Sequence, residues 1–244
     1  MILRRIIGIR SIDQELLSAI DNNANLYKIE TLLDQGADPN VADNRSHISP
    51  GRVGQRPLHY AADWRSNNEC CELVSVLLSN KADPSLVSKY GHSPLHYFAR
   101  SGDLPSLELL LNAGAPVNIF NSSGQTPMHN AIGSPAAIKL LINHGADVNA
   151  RMPPKRPLCD GRTPLQSAIN VSALETIRLL LSAGADPSIL SGNPAMTPIQ
   201  CAESALNLAK HGYNDDEEDR KKSIRVCEEI VDFLQSETKT SLNV

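Results

Sequence analysis

The stretch that decides the fold runs from Ser88 to Asn118 and reads SKYGHSPLHYFARSGDLPSLELLLNAGAPVN. Its first part predicts a helix with Ser93 as the cap and proline in the first turn, where the missing N–H of proline has no cost. A break at residues 101–103 precedes a leucine-rich second helix. Gly114 ends that helix, because glycine adopts the left-handed conformation without a Cβ penalty. The stretch is therefore predicted to be a pair of short helices joined by a tight turn.

The same unit recurs along the chain. The prolines that open the first helices lie 33 to 37 residues apart, at Pro57, Pro94, Pro127, Pro164 and Pro198. Such a period is typical of solenoids, in which each unit buries its apolar face against its neighbours. This period, together with an earlier helix pair that ends at Gly36, predicts one domain over 13–237. The units are placed at about 13–43, 54–87, 88–120, 121–150, 161–190 and 194–237, after a leader segment at 1–12 and before a C-terminal tail at 238–244.

Composition excludes several classes of function. The chain has 244 residues, 41% of them hydrophobic, and a formal net charge of −4, which is unlike the basic surface that nucleic acid requires. No apolar run approaches the roughly 20 residues of a membrane span. Five cysteines without C-x-x-C spacing are typical of reduced thiols in a cytosol-like compartment. We therefore expect a cytoplasmic monomer that binds neither nucleic acid nor membrane.

Each first helix carries its own cap. His96 and His129 follow the capping residue by three positions, so a ring nitrogen can bond back to the backbone, as the acidic or amide residue does in a capping box. Arg56 stands where the other units have serine or threonine, which predicts a helix start weaker by about 0.5–2 kcal/mol. Lys81 stands where other units have glycine, and a left-handed conformation there costs about 1 kcal/mol.

This pattern resembles the ankyrin repeat, whose consensus is G-x-T-P-L-H-x-A-A followed by V-x-x-L-L-x-x-G-A-D-x-N. The fourth unit matches it closely, with GQTPMHNA at 124–131 and LLINHGADVN at 140–149. The resemblance covers roughly 13–236. It implies an all-α solenoid of about six helix–turn–helix units with finger loops, an L-shaped cross-section and a concave groove. The departures are Arg56, Lys81, Pro116 in place of aspartate, and two elongated fingers.

The resemblance also implies a non-enzymatic module or adaptor that binds another protein through its groove and fingers. In ankyrin repeats the residue after the motif histidine faces the groove. Tyrosine, tryptophan and arginine dominate the energetics of interfaces. The alternative is that the two tyrosines at this position cover helix backbone and that the tryptophan fills an irregular turn. The predicted partner-binding residues are Tyr60, Trp64, Lys89, Tyr90, His92, Tyr97, Arg100 and Asn130.

The long fingers at 44–54 and 151–160 offer a second surface. The basic residues in and beside the latter, namely Arg151, Lys155, Arg156 and Arg162, are suited to an acidic partner, although a solvated loop explains them equally well. Asn149 resembles the asparagines of ankyrin repeats that asparaginyl hydroxylases modify. The same residue also has a structural reading, as a brace between fingers.

No catalytic or cofactor motif is present, and we expect no enzyme activity, no cofactor and no metal site. His92 and His96 have the spacing of zinc ligands but lack further ligands, and Cys70 and Cys71 are read as buried thiols. The charged run 215–222 is interpreted as a solvated loop before an amphipathic closing helix.

A second functional hypothesis is a secreted effector of an intracellular bacterium that acts on host proteins through the same scaffold, which would place it in the host cytoplasm. Its motive is the polar C-terminal segment Ser236 to Val244, which is similar to translocation signals.

Overall fold

The structure is a computed structural model, which describes residues 11–45, 48–63, 67–151, 161–191, 195–211 and 217–241. Within these ranges it contains twelve α-helices, and its extended pairing is limited to an isolated bridge between Ser191 and Met196. The predicted all-α fold is confirmed. The chain divides into two compact units, Met1–Ser122 and Ser123–Val244. The prediction of one continuous domain stays a prediction.

The first unit contains three helix pairs. The first helices, α1, α3 and α5, pack on one another in sequence order, as do the second helices, and each pair also packs internally. This nearest-neighbour packing is the solenoid arrangement. The core is mostly aliphatic, and the aromatic side chains of Tyr60 and Phe98 are also buried in it. The helices are α1 (Ser11–Asp21), α2 (Leu26–Asp34), α3 (Pro57–Ala61), α4 (Asn67–Ser79), α5 (Pro94–Ser101) and α6 (Leu104–Asn112).

The second unit repeats this arrangement and ends in a longer helix pair. Its helices are α7 (Pro127–Asn130), α8 (Pro135–Asn143), α9 (Pro164–Asn170), α10 (Leu174–Ser182), α11 (Pro198–His211) and α12 (Glu217–Ser241). Helix α9 packs on α7, α10 and α11, and α12 packs on α11. Cys227, Ile230 and Leu234 of α12 are buried, whereas Glu228 and Asp232 are exposed. One apolar and one polar face is what the end of a solenoid needs.

The predicted helix caps are present. The backbone N–H groups of Ser93 and Thr126 donate to Nδ1 of His96 and His129 at 3.1 and 3.2 Å. In the fifth repeat, the N–H of Thr163 donates to Oε1 of Gln166 at 2.9 Å. Histidine and glutamine therefore do the same work at this position.

The two predicted irregularities also appear. Arg56 makes no side-chain cap because a guanidinium has no acceptor, so only its N–H bond to Nδ1 of His59 remains, at 3.1 Å. Lys81 has φ = 68°, the left-handed conformation that Gly36 and Gly114 adopt at the same point of their repeats.

Several boundaries differ from the prediction. The charged run is not a loop from residue 217 onward, because Glu217–Lys222 form the first turns of α12, where acidic side chains favour the helix N-terminus. Lys221 also pairs with Glu217 one turn earlier at 2.9 Å. Helix α12 continues to Ser241 within the predicted tail, and α1 begins at Ser11 within the predicted leader.

Backbone hydrogen bonds link successive fingers of the first unit. The N–H of Lys89 donates to the carbonyl of Val53 at 3.2 Å, and the N–H of Ser122 donates to the carbonyl of Tyr90 at 2.8 Å. Gly54 permits the first of these approaches, because a Cβ atom on it would lie 2.8 Å from the backbone nitrogen of Lys89.

Candidate functional site

A cluster of aromatic and cationic side chains lies on the third repeat. Helix α5 supplies two residues one turn apart, and the finger before it supplies three. We call this set the third-repeat face, and its members are Lys89, Tyr90, His92, Tyr97 and Arg100. Lys89 and Arg100 are exposed, and the three rings are half-buried. Such a mixture of rigid rings and exposed cations is typical of protein interfaces.

Ring contacts hold the third-repeat face in place. The ring centroids of His92 and Tyr97 are 5.6 Å apart, and Lys89 Nζ lies 5.8 Å from the centroid of Tyr90. The Tyr97 hydroxyl accepts a hydrogen bond from Nε2 of the buried Gln55 at 2.8 Å. Because its side chains contact one another and the preceding finger, this face is already ordered before a partner binds.

The finger that carries the third-repeat face is also fixed to the second repeat. His59 is fully buried, and its Nε2 donates to the backbone carbonyl of His92 at 2.9 Å, while its Nδ1 accepts from Arg56. Burial lowers the pKa of His59 to about 4, so the ring is neutral at pH 7. The neutral form is the one that both accepts and donates.

The electrostatics of the third-repeat face are positive. Burial, and then the positive charge of Arg100, hold the pKa of His92 below its ordinary value, so the His92 ring is uncharged at neutral pH. Among the ion pairs of the described residues none involves Lys89 or Arg100. Two exposed cations therefore flank neutral rings.

Tyr60 does not belong to this surface, which corrects the expectation that it faces an open groove. It is 2% exposed, its hydroxyl donates to the carboxylate of Asp43, and the Arg52 guanidinium lies 5.0 Å from its ring centroid. Burial and the neighbouring Asp43 raise the pKa of Tyr60 above its ordinary value. Tyr60 and Tyr97 occupy the same motif position, but only Tyr97 is partly open to solvent.

The group that covers Tyr60 comes from the long finger 44–54. Arg45 of this finger binds the buried Asp43 carboxylate, with Nη2 2.7 Å from Oδ2 and Nε 3.0 Å from Oδ1, and also reaches Ser18. Burial raises the pKa of Asp43, but the hydrogen bonds from Arg45 and Tyr60 outweigh it and lower that pKa. The sequence carries little local signal for this network, because Arg45 and Ser18 are 27 residues apart and Tyr60 and Asp43 are 17 residues apart.

Arg52 extends this network to the surface. It binds the carboxylates of both Asp21 and Asp63, the latter at 3.0 Å. Together with Tyr60 these residues line an open depression of about 200 Å³. Its charges are already paired, so the depression offers no free ion to a partner.

The remaining predicted residues lie in the second unit or outside the described ranges. Asn130 is half-buried at the end of α7. The side chain of Arg151 donates to the carbonyl of Leu190 at 3.0 Å, and Arg162 is exposed. Trp64, Lys155 and Arg156 fall outside the described residues, as do residues 1–10 of the leader.

Asn149 braces two neighbouring fingers. Its Nδ2 donates to the carbonyl of Gly184 at 3.2 Å, and its Oδ1 accepts from the N–H of Asp186 at 2.7 Å. Asn40 makes the equivalent pair of bonds to Lys81 and Asp83 in the first unit. The structural reading of Asn149 is confirmed.

Thiols and histidines show no reactive arrangement in the parts of the chain that the structure describes. Cys70 is buried and donates to the carbonyl of Ala61 at 3.1 Å, and burial raises its pKa to about 12. Nδ1 of His96 is bonded to Ser93, and no three His, Cys, Asp or Glu side chains of the described residues are grouped so that they could hold a metal. In the same residues, no helix combines the length and apolarity needed to span a bilayer.

Helix pairs that stack on sequential neighbours, with capped starts, glycine ends and linked fingers, define a class of repeat proteins that bind other proteins. The chain belongs to the ankyrin-repeat family: the profile "Ankyrin repeats (3 copies)" matches residues 58–152, and "Ankyrin repeat" matches residues 160–191. Ankyrin repeats are protein–protein interaction modules and are generally non-catalytic.

Several characterised proteins are similar to this chain. The B-cell lymphoma 3 protein homolog of Mus musculus is 29% identical over 179 residues, which is 72% of this chain and 37% of that protein. The nuclear factor NF-kappa-B p105 subunit of Gallus gallus is 31% identical over 173 residues, 68% of this chain and 16% of that protein. The SH3 and multiple ankyrin repeat domains protein 2 of Homo sapiens is 28% identical over 210 residues, which is 79% of this chain and 10% of that protein. The chain thus corresponds to less than half the length of each of these three relatives.

Proposed function

We propose that this chain is a non-catalytic adaptor that binds a partner protein through the third-repeat face. The observation that carries the proposal is a set of three half-buried rings and two exposed cations, Lys89 and Arg100, in which His92 contacts Tyr97 and Lys89 lies over Tyr90. Interfaces draw most of their binding energy from a few aromatic and arginine side chains held in a rigid surround. The bonds from Lys89 to Val53 and from His59 to His92 supply that rigidity here.

The test is affinity capture with two matched double variants. Tyr90→Ala/Arg100→Ala removes one ring and one cation from the third-repeat face. Tyr27→Ala/Lys28→Ala removes the same two kinds of side chain from helix α2, where Tyr27 is 76% exposed. Proteins captured by the unaltered chain should be retained by the α2 variant and lost by the face variant, with both variants unfolding at the same temperature as the unaltered chain. Equal capture by all three would refute the assignment.

Substitution of Tyr60 is not a suitable test of partner binding, because Tyr60 is buried. Replacing Tyr60 breaks a buried hydrogen bond, so a loss of capture would report unfolding as well as contact. Trp64 and Asn130 stay in the hypothesis on sequence grounds alone. Single variants of each, compared with Tyr90→Ala, would test whether the partner extends beyond the third-repeat face.

We further infer that the adaptor works as a monomer in the cytoplasm and without enzyme activity. Support for a cytosol-like setting comes from Cys70, which is buried and forms no disulfide. The monomeric state and the lack of enzyme activity are proposed from the sequence alone. Sedimentation at micromolar concentration should give the mass of a single chain, and a dimer mass would contradict this part of the proposal.

The second candidate function remains that of an effector of an intracellular bacterium. Its support is the polar segment 236–244, which α12 enters as a helix through Ser241. A secretion assay with and without residues 236–244 separates it from the adaptor proposal, because only a translocated effector should lose export on truncation.

Two proposals concern the second unit. Arg151 and Arg162, with the sequence-predicted Lys155 and Arg156, are proposed as a secondary finger surface, to be tested by alanine substitution of Arg162, whose side chain is exposed.

Asn149 is proposed as an acceptor of hydroxylation, which mass spectrometry would detect as one added oxygen on that residue. Because both ends of its amide are bonded, modification requires local opening of the repeat.

A further inference from the structure

We propose that the segment of the partner that binds the third-repeat face is an acidic peptide segment, whose carboxylates pair with Lys89 and Arg100. This inference rests on the proposed function, because it states the chemistry of the partner for the same site. The two cations are exposed and lie outside every ion pair among the described residues.

Three other cations of the first unit are held in ion pairs, and a fourth, Arg56, donates to the backbone carbonyl of Asn40 at 2.8 Å. Lys28 pairs with Glu15 at 3.4 Å, Arg45 with Asp43 at 2.7 Å, and Arg52 with Asp63 at 3.0 Å. The carboxylates of Glu15, Asp43 and Asp63 are therefore engaged with these cations, and none of the pairs neutralises Lys89 or Arg100. A surface with uncompensated charge selects partners of the opposite sign.

The positions of the cations suit carboxylates on either side of an apolar contact. Lys89 lies against the Tyr90 ring, and Arg100 is near enough to His92 to lower its pKa. The rings of His92 and Tyr97 contact each other and supply the aromatic surface of the same face. An acidic segment with apolar or aromatic side chains interspersed would match both features.

Local rather than overall charge directs this binding. The chain has a net charge of −4, so an acidic partner is not attracted from a distance, and screening limits the cations to a range of roughly 8–10 Å. Nucleic acid is a poorer match, because binding it without such an overall attraction requires several phosphate contacts and this face has two free cations.

The experiment is a selection from a random-peptide phage library against the full chain, with two charge-reversed variants in parallel. Lys89→Glu/Arg100→Glu reverses the face. Lys139→Glu/Lys222→Glu reverses two exposed cations of the second unit and changes the net charge by the same amount. Peptides selected on the unaltered chain should be enriched in Asp and Glu. They should bind the face variant about tenfold more weakly and the control variant within about twofold, as expected for two surface ion pairs.

A charge exchange completes the test. When Glu and Asp of a selected peptide are replaced by Lys, the peptide should lose affinity for the unaltered chain and gain it for Lys89→Glu/Arg100→Glu. Peptides that depend on the face but show no acidic enrichment would overturn this inference and leave the proposed function intact. Peptides that bind all three proteins equally, or a selection that yields no face-dependent peptide, would count against both. Stronger binding of a single-stranded RNA oligonucleotide to the face would also overturn the acidic-peptide assignment.

Discussion

Nε2 of His59 donates a hydrogen bond to the backbone carbonyl of His92, 33 residues further along the chain, at a distance of 2.9 Å. His129 makes the same bond to the carbonyl of Arg162 in the second unit, at 3.1 Å. In both histidines Nδ1 accepts from the cap of their own helix. A neutral imidazole therefore connects each of these two helix starts to the next repeat, because a protonated ring carries a proton on Nδ1 and could not accept the bond from the cap N–H.

The buried His59 should make stability depend on pH. Its pKa is about 4 in the folded chain and 6.5 ordinarily, so between these values the unfolded chain binds a proton that the folded chain does not. Stability from this residue is complete above pH 6.5 and falls as the pH drops, by about 3 kcal/mol in total at pH 4. Urea unfolding across this pH range measures the effect.

His59→Gln is the control for that prediction, because Gln166 already makes both bonds, accepting from Thr163 and donating to the carbonyl of Ile189 at 2.8 Å. The variant should fold, and its free energy of unfolding should depend less on pH than that of the unaltered chain. If the free energies of unfolding of the two proteins fell in parallel between pH 7 and pH 4, the assignment of His59 as a neutral, buried link would be contradicted.

Asp43→Asn should be strongly destabilising. The substitution removes the nearer of the two carboxylates that pair with the guanidinium of Arg45, which is 8% exposed, and leaves it only Asp21 at 3.3 Å. Breaking a buried pair costs about 3–5 kcal/mol, and because Asp21 remains we expect a loss toward the lower figure, about 3 kcal/mol. Asp63→Asn is the matched control, because Asp63 pairs with Arg52 but is 54% exposed, and should cost at most about 1 kcal/mol. Equal losses in chemical denaturation would mean that the Asp43 pair is open to water.

Lys81→Gly should stabilise the chain by about 1 kcal/mol, since lysine holds a left-handed conformation at φ = 68° that glycine adopts freely. The reciprocal change, Gly114→Lys at φ = 84°, should destabilise by a similar amount, because open space surrounds its Cβ direction and backbone strain alone is tested. Melting temperatures that move in the same direction for both variants would refute the argument.

Gly54→Ala should cost more than Gly36→Ala, although both glycines have positive φ. A Cβ at residue 54 meets the backbone nitrogen of Lys89 at 2.8 Å, whereas a Cβ at residue 36 meets nothing within 4 Å. We expect about 1 kcal/mol for residue 36 and a larger loss for residue 54, with faster amide exchange at Lys89 in the latter. Identical losses would show that the fingers separate without strain.

The helix starts were predictable because their interactions are local. Each start consists of a capping residue, a proline after it, and a histidine or glutamine three residues after the cap, all within one helical turn. The left-handed residues that end the second helices are equally local, because each lies next to the last turn of its helix. That the charged run 217–222 is helical was harder to predict from the sequence, because its composition suits a solvated loop as well as a helix. The packing of α12 on α11 favours the helix.

The residues of the candidate site were predictable from the sequence, but the long-range contacts that hold them were not. The sequence singled out Lys89, Tyr90, His92, Tyr97 and Arg100, because motif register alone places them on the finger and on the first helix of the third repeat. It could not anticipate the link from Gln55 to Tyr97, which joins residues 42 positions apart.

The sequence by itself determined the repeat period, the helix pairs and the positions at which side chains face the fingers, because each depends on contacts within a few residues or on a strict periodicity. Only the tertiary structure decided which of two equivalent tyrosines is available. Tyr60 is covered because Arg45 and Arg52 of a non-periodic loop turn back onto Asp43, Asp21 and Asp63. Pairing charges across a loop depends on where its chain returns in space, and no local pattern encodes that.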